Sequence, residues 1–232
     1  MTAPTQARPV VLVSGAARRI GAVIAQTLHA AGHDLALHCR NSRDDLDQLI
    51  AKLERERPNS TLALQADLSD LTQMPALIEA TMQRFGRLDG LVNNASDFFA
   101  TAFGSVTSEQ WDRLFASNAR APFFLAQAAA PQLKKTGGAI VNLLDIYAER
   151  PLAGHSVYCM AKAAQAAMTH ALALELGPEV RVNGVAPGAV MWPEADSDAA
   201  HRAKIIERTP LKRTGQPAEI ADAVLWLLRD AR

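Results

Sequence analysis

The chain has 232 residues, 49% of them hydrophobic and 5% aromatic, which is enough for one large core and shows no bias toward disorder. Its 24 Lys and Arg balance 24 Asp and Glu with no block of like charge, excluding the electrostatic footprint of a nucleic-acid or acidic-membrane binder and favouring a small-molecule partner. Two cysteines, Cys39 and Cys159, no CxxC, no signal-like opening in "MTAPTQARPV" and no bilayer-length apolar run predict a cytoplasmic protein outside the membrane.

In chain order, "RPVVLVSG" reads as a first strand followed by a helix over about 19–31. "HDLALHC" is a second strand with a helix through "DDLDQLIAKLER", and "STLALQAD" a third with a helix through "LTQMPALIEATMQRFG". After "LDGLVNNAS" comes one long helical stretch over 108–135, then "GGAIVNLLD", a helix over about 156–176, "EVRVNGVAPG" and a last helix over 217–228. Continuous apolar strands separated by helices predict an α/β fold, a doubly wound parallel sheet covered on both faces. A single domain is expected over 1–232, with 1–8 as a loose tail and a substrate lid loop over about 189–206, which includes "MWPEADSDAA".

The first strand runs into "SGAARRIG" and a helix. Gly15 and Gly21 permit a tight turn and close helix packing, and the helix amino end offers N–H groups and a positive dipole to a pyrophosphate. At the end of the second strand, where an acid would hold the ribose hydroxyls of NAD, the chain has "HCRNSRDD". Arg40, Asn41 and Ser42, with Arg18 from the first turn, suit a 2′-phosphate and favour NADP(H) over NAD(H). Tyr158 and Lys162, four apart, share one face of a helix. A nearby ammonium is expected to lower the phenol's pKa toward neutrality. His29 and His33 have helical metal spacing, but Gly32 ends the helix between them and no metal site is expected. Cys159 points about 100° around the helix from Tyr158.

"SGAARRIG", "LVNNAS", Asn118 in "SNARAPFF", Tyr158 with Lys162, and "APG" at 186–188 together resemble the short-chain dehydrogenase/reductase family over nearly the whole chain. The resemblance implies Tyr158 as proton donor, Lys162 on the nicotinamide ribose and Asn118 in a proton relay. It also implies that Asp67 and Leu68 lie beside the adenine, that Asn94 and Ala95 shape the central cofactor pocket, and that Pro187 and Gly188 pass near the nicotinamide. Ile20 and His38 complete the implied cofactor wall. Members pair helices like "AKAAQAAMTHALALEL", so a homodimer or homotetramer is expected. They usually add one more strand after the last helix, which nothing after "LLRDAR" supplies, so the expected sheet lacks that edge.

Two departures are informative. Most members have serine thirteen residues before the tyrosine; here stands Asp145. A carboxylate about 4 Å from the oxyanion of a reduced ketone opposes it by about 4 kcal/mol at an effective dielectric of 20, on the order of a thousandfold in rate. Reduction of C=N instead places a proton on nitrogen, which a carboxylate favours. A protonated Asp145 would act as serine does. Arg19 also stands where many members have glycine, and "NNASDFF" puts Ser96 before an aromatic segment. With Asp145 and "APGAVMWPE", these features resemble the pteridine reductase branch. That implies Phe98, or its neighbour Phe99, stacking a pterin, Ser96 and Arg19 contacting pterin or cofactor phosphate, and Trp192 as a substrate-side wall. The expected activity is NADPH-dependent reduction of a dihydropterin; the alternatives are a general carbonyl or 3-oxoacyl reductase and a non-catalytic NADP(H)-binding protein.

Overall fold

A computed structural model describes residues 8–192 and 199–231. Six strands form one parallel sheet: β1 Val10–Val13, β2 Asp34–Cys39, β3 Thr61–Gln65, β4 Gly90–Asn93, β5 Ala139–Leu143 and β6 Arg181–Val185. Their spatial order is β3-β2-β1-β4-β5-β6. The expected doubly wound α/β fold is the observed one, and β6 ends the sheet among the described residues.

The helices are α1 Arg19–Ala30, α2 Arg43–Glu56, α3 Met74–Phe85, α4 Ser108–Phe115, α5 Ala121–Thr136, α6 Ser156–Leu176, α7 Ala199–Arg208 and α8 Pro217–Arg229. Alternation along the strands divides the core into two layers. Leu12, Leu91 and Ile140 face Leu77, Leu125 and Leu172, on α3, α5 and α6. Val11, Val13, Val92 and Val141 face Ile24, Leu49 and Val224, on α1, α2 and α8. Both faces of the central strands β1, β4 and β5 are therefore buried, which is why these strands carry no polar alternation. Chain order reverses between β1 and β4, and the crevice beyond their carboxyl ends is where such sheets bind ligands.

The single helix expected over 108–135 is instead two, joined by one π-helical turn, Ala116–Arg120. Pro122 has no N–H to donate to the carbonyl four residues back. Asn118 Nδ2 takes the Leu114 carbonyl at 3.0 Å, so the ladder opens at this point. The loop expected over 189–206 is partly regular, because Ala199–Arg208 is helical; residues 193–198 of that loop, and 1–7 of the expected tail, lie outside the described residues. Among the described residues no helix is long and apolar enough to cross a membrane. His29 contacts Ser60 Oγ at 2.8 Å and His33 the Leu28 carbonyl at 3.1 Å, so each has a local partner.

Candidate active site

The crevice at the sheet's carboxyl edge is a cleft of about 1130 Å³. Its back wall is the turn between β1 and α1. Gly15 has φ +63°, and a Cβ there would come 2.9 Å from the Ala95 Cα. Asn94 Nδ2 donates to the Ser14 and Gly15 carbonyls at 2.9 Å each, and Ser14 Oγ accepts from the Asn94 and Ala95 N–H groups at 3.0 Å. The turn is thus stitched to the end of β4. At Gly21 a Cβ would come 2.2 Å from the Gly15 oxygen and 2.6 Å from Asn94 Nδ2. Gly21→Ala is therefore expected to push α1 away from this turn, weakening dinucleotide binding at least tenfold and lowering the melting temperature; fluorescence titration and calorimetry check it.

No side chain caps the amino end of α1, leaving its first N–H groups for an anion. Arg19 opens that helix at φ +54°, a left-handed conformation that favours the glycine found in many members. Its guanidinium donates to the Trp192 carbonyl at 3.2 Å, tying the turn to the segment after β6. Ile20 lines the same wall.

At the end of β2, His38 is buried; Gly15 N–H donates to its Nδ1 at 3.3 Å and its Nε2 meets the Ala66 carbonyl at 3.0 Å. Burial holds its pKa below the ordinary value, so the neutral ring is a structural brace behind the turn. Arg40, Asn41 and Ser42 line the cleft beyond it. Arg18 lies 3.6 Å from Asp45, an exposed pair on the same rim. Asp67 and Leu68 form the next stretch of wall, and hydrogen bonds from Ser69 hold the Asp67 carboxyl below its usual range.

At the other end of the cleft, β5 delivers Asp145 and α6 delivers Tyr158 and Lys162. The Tyr158 hydroxyl donates to Asp145 Oδ2 at 2.7 Å. Asp145 Oδ1 accepts from the Tyr147 N–H at 2.9 Å, capping the single 3-10 turn Ile146–Ala148 and fixing the carboxylate's direction. Pro187 orients that turn from β6, its carbonyl accepting from the Ile146 N–H at 3.2 Å, and Gly188 follows on the cleft wall. Lys162 is 3% exposed. Its Nζ donates to the Leu143 carbonyl at 2.7 Å and to Gln165 Oε1 at 3.0 Å.

These contacts correct one expectation. The phenol of Tyr158 is pushed above, not below, its ordinary pKa, first by burial and then by the Asp145 carboxylate. The ammonium expected to lower it is 6.0 Å from the ring centroid and committed to other acceptors. Burial in turn pushes Lys162 down to about 8, with Asp145 opposing. The Ser96 hydroxyl acts weakly in favour of the phenolate and donates to Asn118 Oδ1 at 2.6 Å. Asn118 is wholly buried in the π turn, off the cleft wall, so it reaches the site through Ser96.

Phe98 is 44% exposed. It stacks on His155 with centroids 4.7 Å apart and meets the Tyr158 ring edge-on at 4.8 Å. Trp192 lines the cleft and receives Arg202 of α7 over its ring at 5.5 Å. The residues singled out from sequence thus converge on one cleft, Asn118 standing behind it. Among the cleft residues not singled out are Asp97, Arg113 and His155. The acid in "NNASDFF" was visible, but its partners are distant in sequence.

A deep cleft at the chain-order reversal, a glycine turn behind it and a tyrosine, lysine and acid at its far end define a dinucleotide-dependent α/β reductase. A family model described as enoyl-(acyl carrier protein) reductase matches residues 15–232. The chain is 36% identical over 266 residues to pteridine reductase 1 of Leishmania tarentolae, covering 97% of this chain and 91% of that protein. It is 34% identical over 228 residues to the granaticin polyketide synthase putative ketoacyl reductase 2 of Streptomyces violaceoruber, with 95% and 90% covered. It is also 38% identical over 228 residues to the L-xylulose reductase of Bos taurus, with 94% and 88% covered. The chain belongs to the short-chain dehydrogenase/reductase family and is an oxidoreductase of that family, whose members use a nicotinamide cofactor.

Proposed function

We propose that the protein reduces a dihydropterin of the biopterin or monapterin kind to its tetrahydro form with NADPH. The observation that carries this reading is the 2.7 Å hydrogen bond from Tyr158 to Asp145 at the end of the cleft. The likeness to a protein named pteridine reductase supports it.

The residues fit NADP(H). The glycine turn packs α1 tightly against the end of β4, α1 is uncapped, and Arg40 and Arg18 stand on the rim with Asn41 and Ser42. Reduction would draw its hydride from bound NADPH. Lys162 would hold the nicotinamide ribose, Asp67 and Leu68 would flank the adenine, and Asn94 and Ala95 would shape the pocket between them. Tyr158 retains its proton at neutral pH because burial and Asp145 both oppose the phenolate. The proton is therefore available to a basic nitrogen, and the Asp145 carboxylate stabilises the positive charge such a nitrogen gains. Asn118 fixes the Ser96 hydroxyl beside Tyr158, and the Tyr158 proton is replaced from solvent in the open cleft. Phe98 offers a ring to a flat heterocycle, with Trp192 and Arg19 closing the opposite side. Met160 on α6 and Phe123 on α5 are exposed apolar residues that support a homodimer or homotetramer.

A second reading, reduction of a ketone or 3-oxoacyl thioester, is favoured by the likeness to a protein named a ketoacyl reductase. NADPH oxidation with dihydropterins against a panel of ketones and 3-oxoacyl thioesters separates the two. The expected result is a kcat/KM at least a hundredfold higher for the dihydropterin; faster turnover of the carbonyl compounds would replace the first reading by the second.

A further inference from the structure

The segment after β4 carries an acid whose partners come from two other parts of the chain. Asp97 Oδ2 accepts from Arg113 Nε of α4 at 2.8 Å. Its Oδ1 lies 3.6 Å from Arg40 Nη2, just beyond β2. Its N–H donates to Ser117 Oγ at 3.3 Å, and its carbonyl accepts from Asn118 Nδ2 at 2.9 Å. One residue thus connects the rim of the cleft to the π turn that holds Asn118, with Ser96 before it in the chain and Phe98 after it.

The two ion pairs differ in kind. At 2.8 Å the Arg113 contact is a charge-assisted hydrogen bond, and the face of Phe99, 5.0 Å from the Arg113 guanidinium carbon, holds that side chain in place. At 3.6 Å the Arg40 contact is too long for a hydrogen bond but short enough for attraction. Arg113 therefore neutralises the carboxylate, and the carboxylate keeps the Arg40 guanidinium nearby while leaving its donors unspent. The Asp97 side chain is 14% exposed and Arg40 42%. The acid is the more buried partner and the arginine the more exposed one. Ordering an exposed arginine on a phosphate costs rotamer freedom, and a side chain already tethered loses less.

We propose that Asp97, charge-balanced by Arg113, is the positioning residue that presents Arg40 to the 2′-phosphate of NADP(H). It thereby sets cofactor preference from the same segment that carries Ser96 and Phe98. The proposal rests on the NADP(H) reading and assigns it a second tier of residues remote from the β2 end. Its prediction differs from that for a loop staple, which would affect both dinucleotides equally.

The test is fluorescence titration of the full chain with NADPH and NADH for Arg40→Ala, Asp97→Asn, Asp97→Glu and the double variant Arg40→Ala/Asp97→Asn. Arg40→Ala is expected to raise the NADPH Kd roughly tenfold or more, as for a lost charge-assisted contact, with NADH within twofold. Asp97→Asn is expected to raise the NADPH Kd about three- to fivefold, the reach of a partly exposed ion pair, again sparing NADH. Asp97→Glu restores part of the loss, and Asp97→Asn adds nothing further once Arg40 is gone. An unchanged NADPH preference in Arg40→Ala removes the NADP(H) assignment at Arg40 and the proposal with it. A normal Arg40→Ala response combined with an unaltered Asp97→Asn, equal losses for NADH and NADPH, or losses that multiply in the double variant overturns the proposal and leaves the NADP(H) reading in place.

Discussion

Asp145→Asn is expected to lower kcat for a dihydropterin by roughly a hundredfold to a thousandfold, the usual worth of a positioned acid–base group, while the NADPH Kd stays within twofold. Asparagine preserves the shape: its side-chain oxygen can accept from Tyr158 or from the Tyr147 N–H, the two donors that Asp145 now serves. The charge is lost, together with one of the two accepted hydrogen bonds. That charge is one of the causes holding the Tyr158 phenol above its ordinary pKa and opposes the downward shift of Lys162. Removing it lowers both. The alkaline limb of the pH–rate profile therefore moves toward neutrality in the variant. The same substitution relieves the repulsion of about 4 kcal/mol that a carboxylate near 4 Å exerts on a forming alkoxide, so reduction of activated ketones rises as dihydropterin turnover falls. Steady-state NADPH oxidation on both substrate types checks it. Equal losses on both would mean that Asp145 acts through geometry, and the proton-at-nitrogen argument would fail.

The second large effect concerns Lys162, whose buried ammonium has a pKa of about 8 against an ordinary 10.5. Below pH 8 both the folded and the unfolded chain hold the proton, and the cost of burying the charge is fully present. Between pH 8 and 10.5 the unfolded chain holds a proton that the folded chain has lost, so stability rises with pH, by on the order of 3 kcal/mol across the window. On the proposed mechanism activity runs the other way, because a neutral amine lacks the charge proposed to hold the nicotinamide ribose. The wild type is expected to become more stable and less active as pH passes 8. In Lys162→Met this component of the stability slope disappears, and turnover falls by roughly two orders of magnitude at pH 7, comparable to the loss of one preorganised donor. Denaturant titrations and initial rates at matched pH values give both curves. A stability slope identical to wild type would mean that Lys162 is not the titrating group.

Much of the fold was legible because strand and helix patterns are local. Continuous runs such as "RPVVLVSG" and "GGAIVNLL" became buried central strands for the reason that made them recognisable: both their faces need apolar partners. The break at Asn118 was not legible. Helical periodicity continues through 108–135, and what opens the ladder is a side chain competing for the Leu114 carbonyl while the Asp97 carbonyl holds it in place. In the site, Tyr158 and Lys162 were recognisable as one helical face, and Gly15 with Gly21 as a turn that excludes Cβ atoms. His155 against Phe98, and Asp97 between Arg40 and Arg113, join residues from separate elements of the chain, and no local pattern signals such pairs.

The sequence by itself determined that this chain builds a parallel sheet with helices on both faces, because hydrophobic period and glycine conformations are properties of short segments; most of the residues at its carboxyl edge were named by the resemblance to a known family. Only the tertiary structure decided the protonation chemistry of that edge. Tyr158 and Lys162 looked like an ammonium activating a phenol. Packing instead buries both, turns the ammonium toward Leu143 and Gln165, and leaves the phenol holding its proton in a hydrogen bond donated to Asp145. Desolvation and through-space charge set a pKa, and both depend on what surrounds a group in three dimensions.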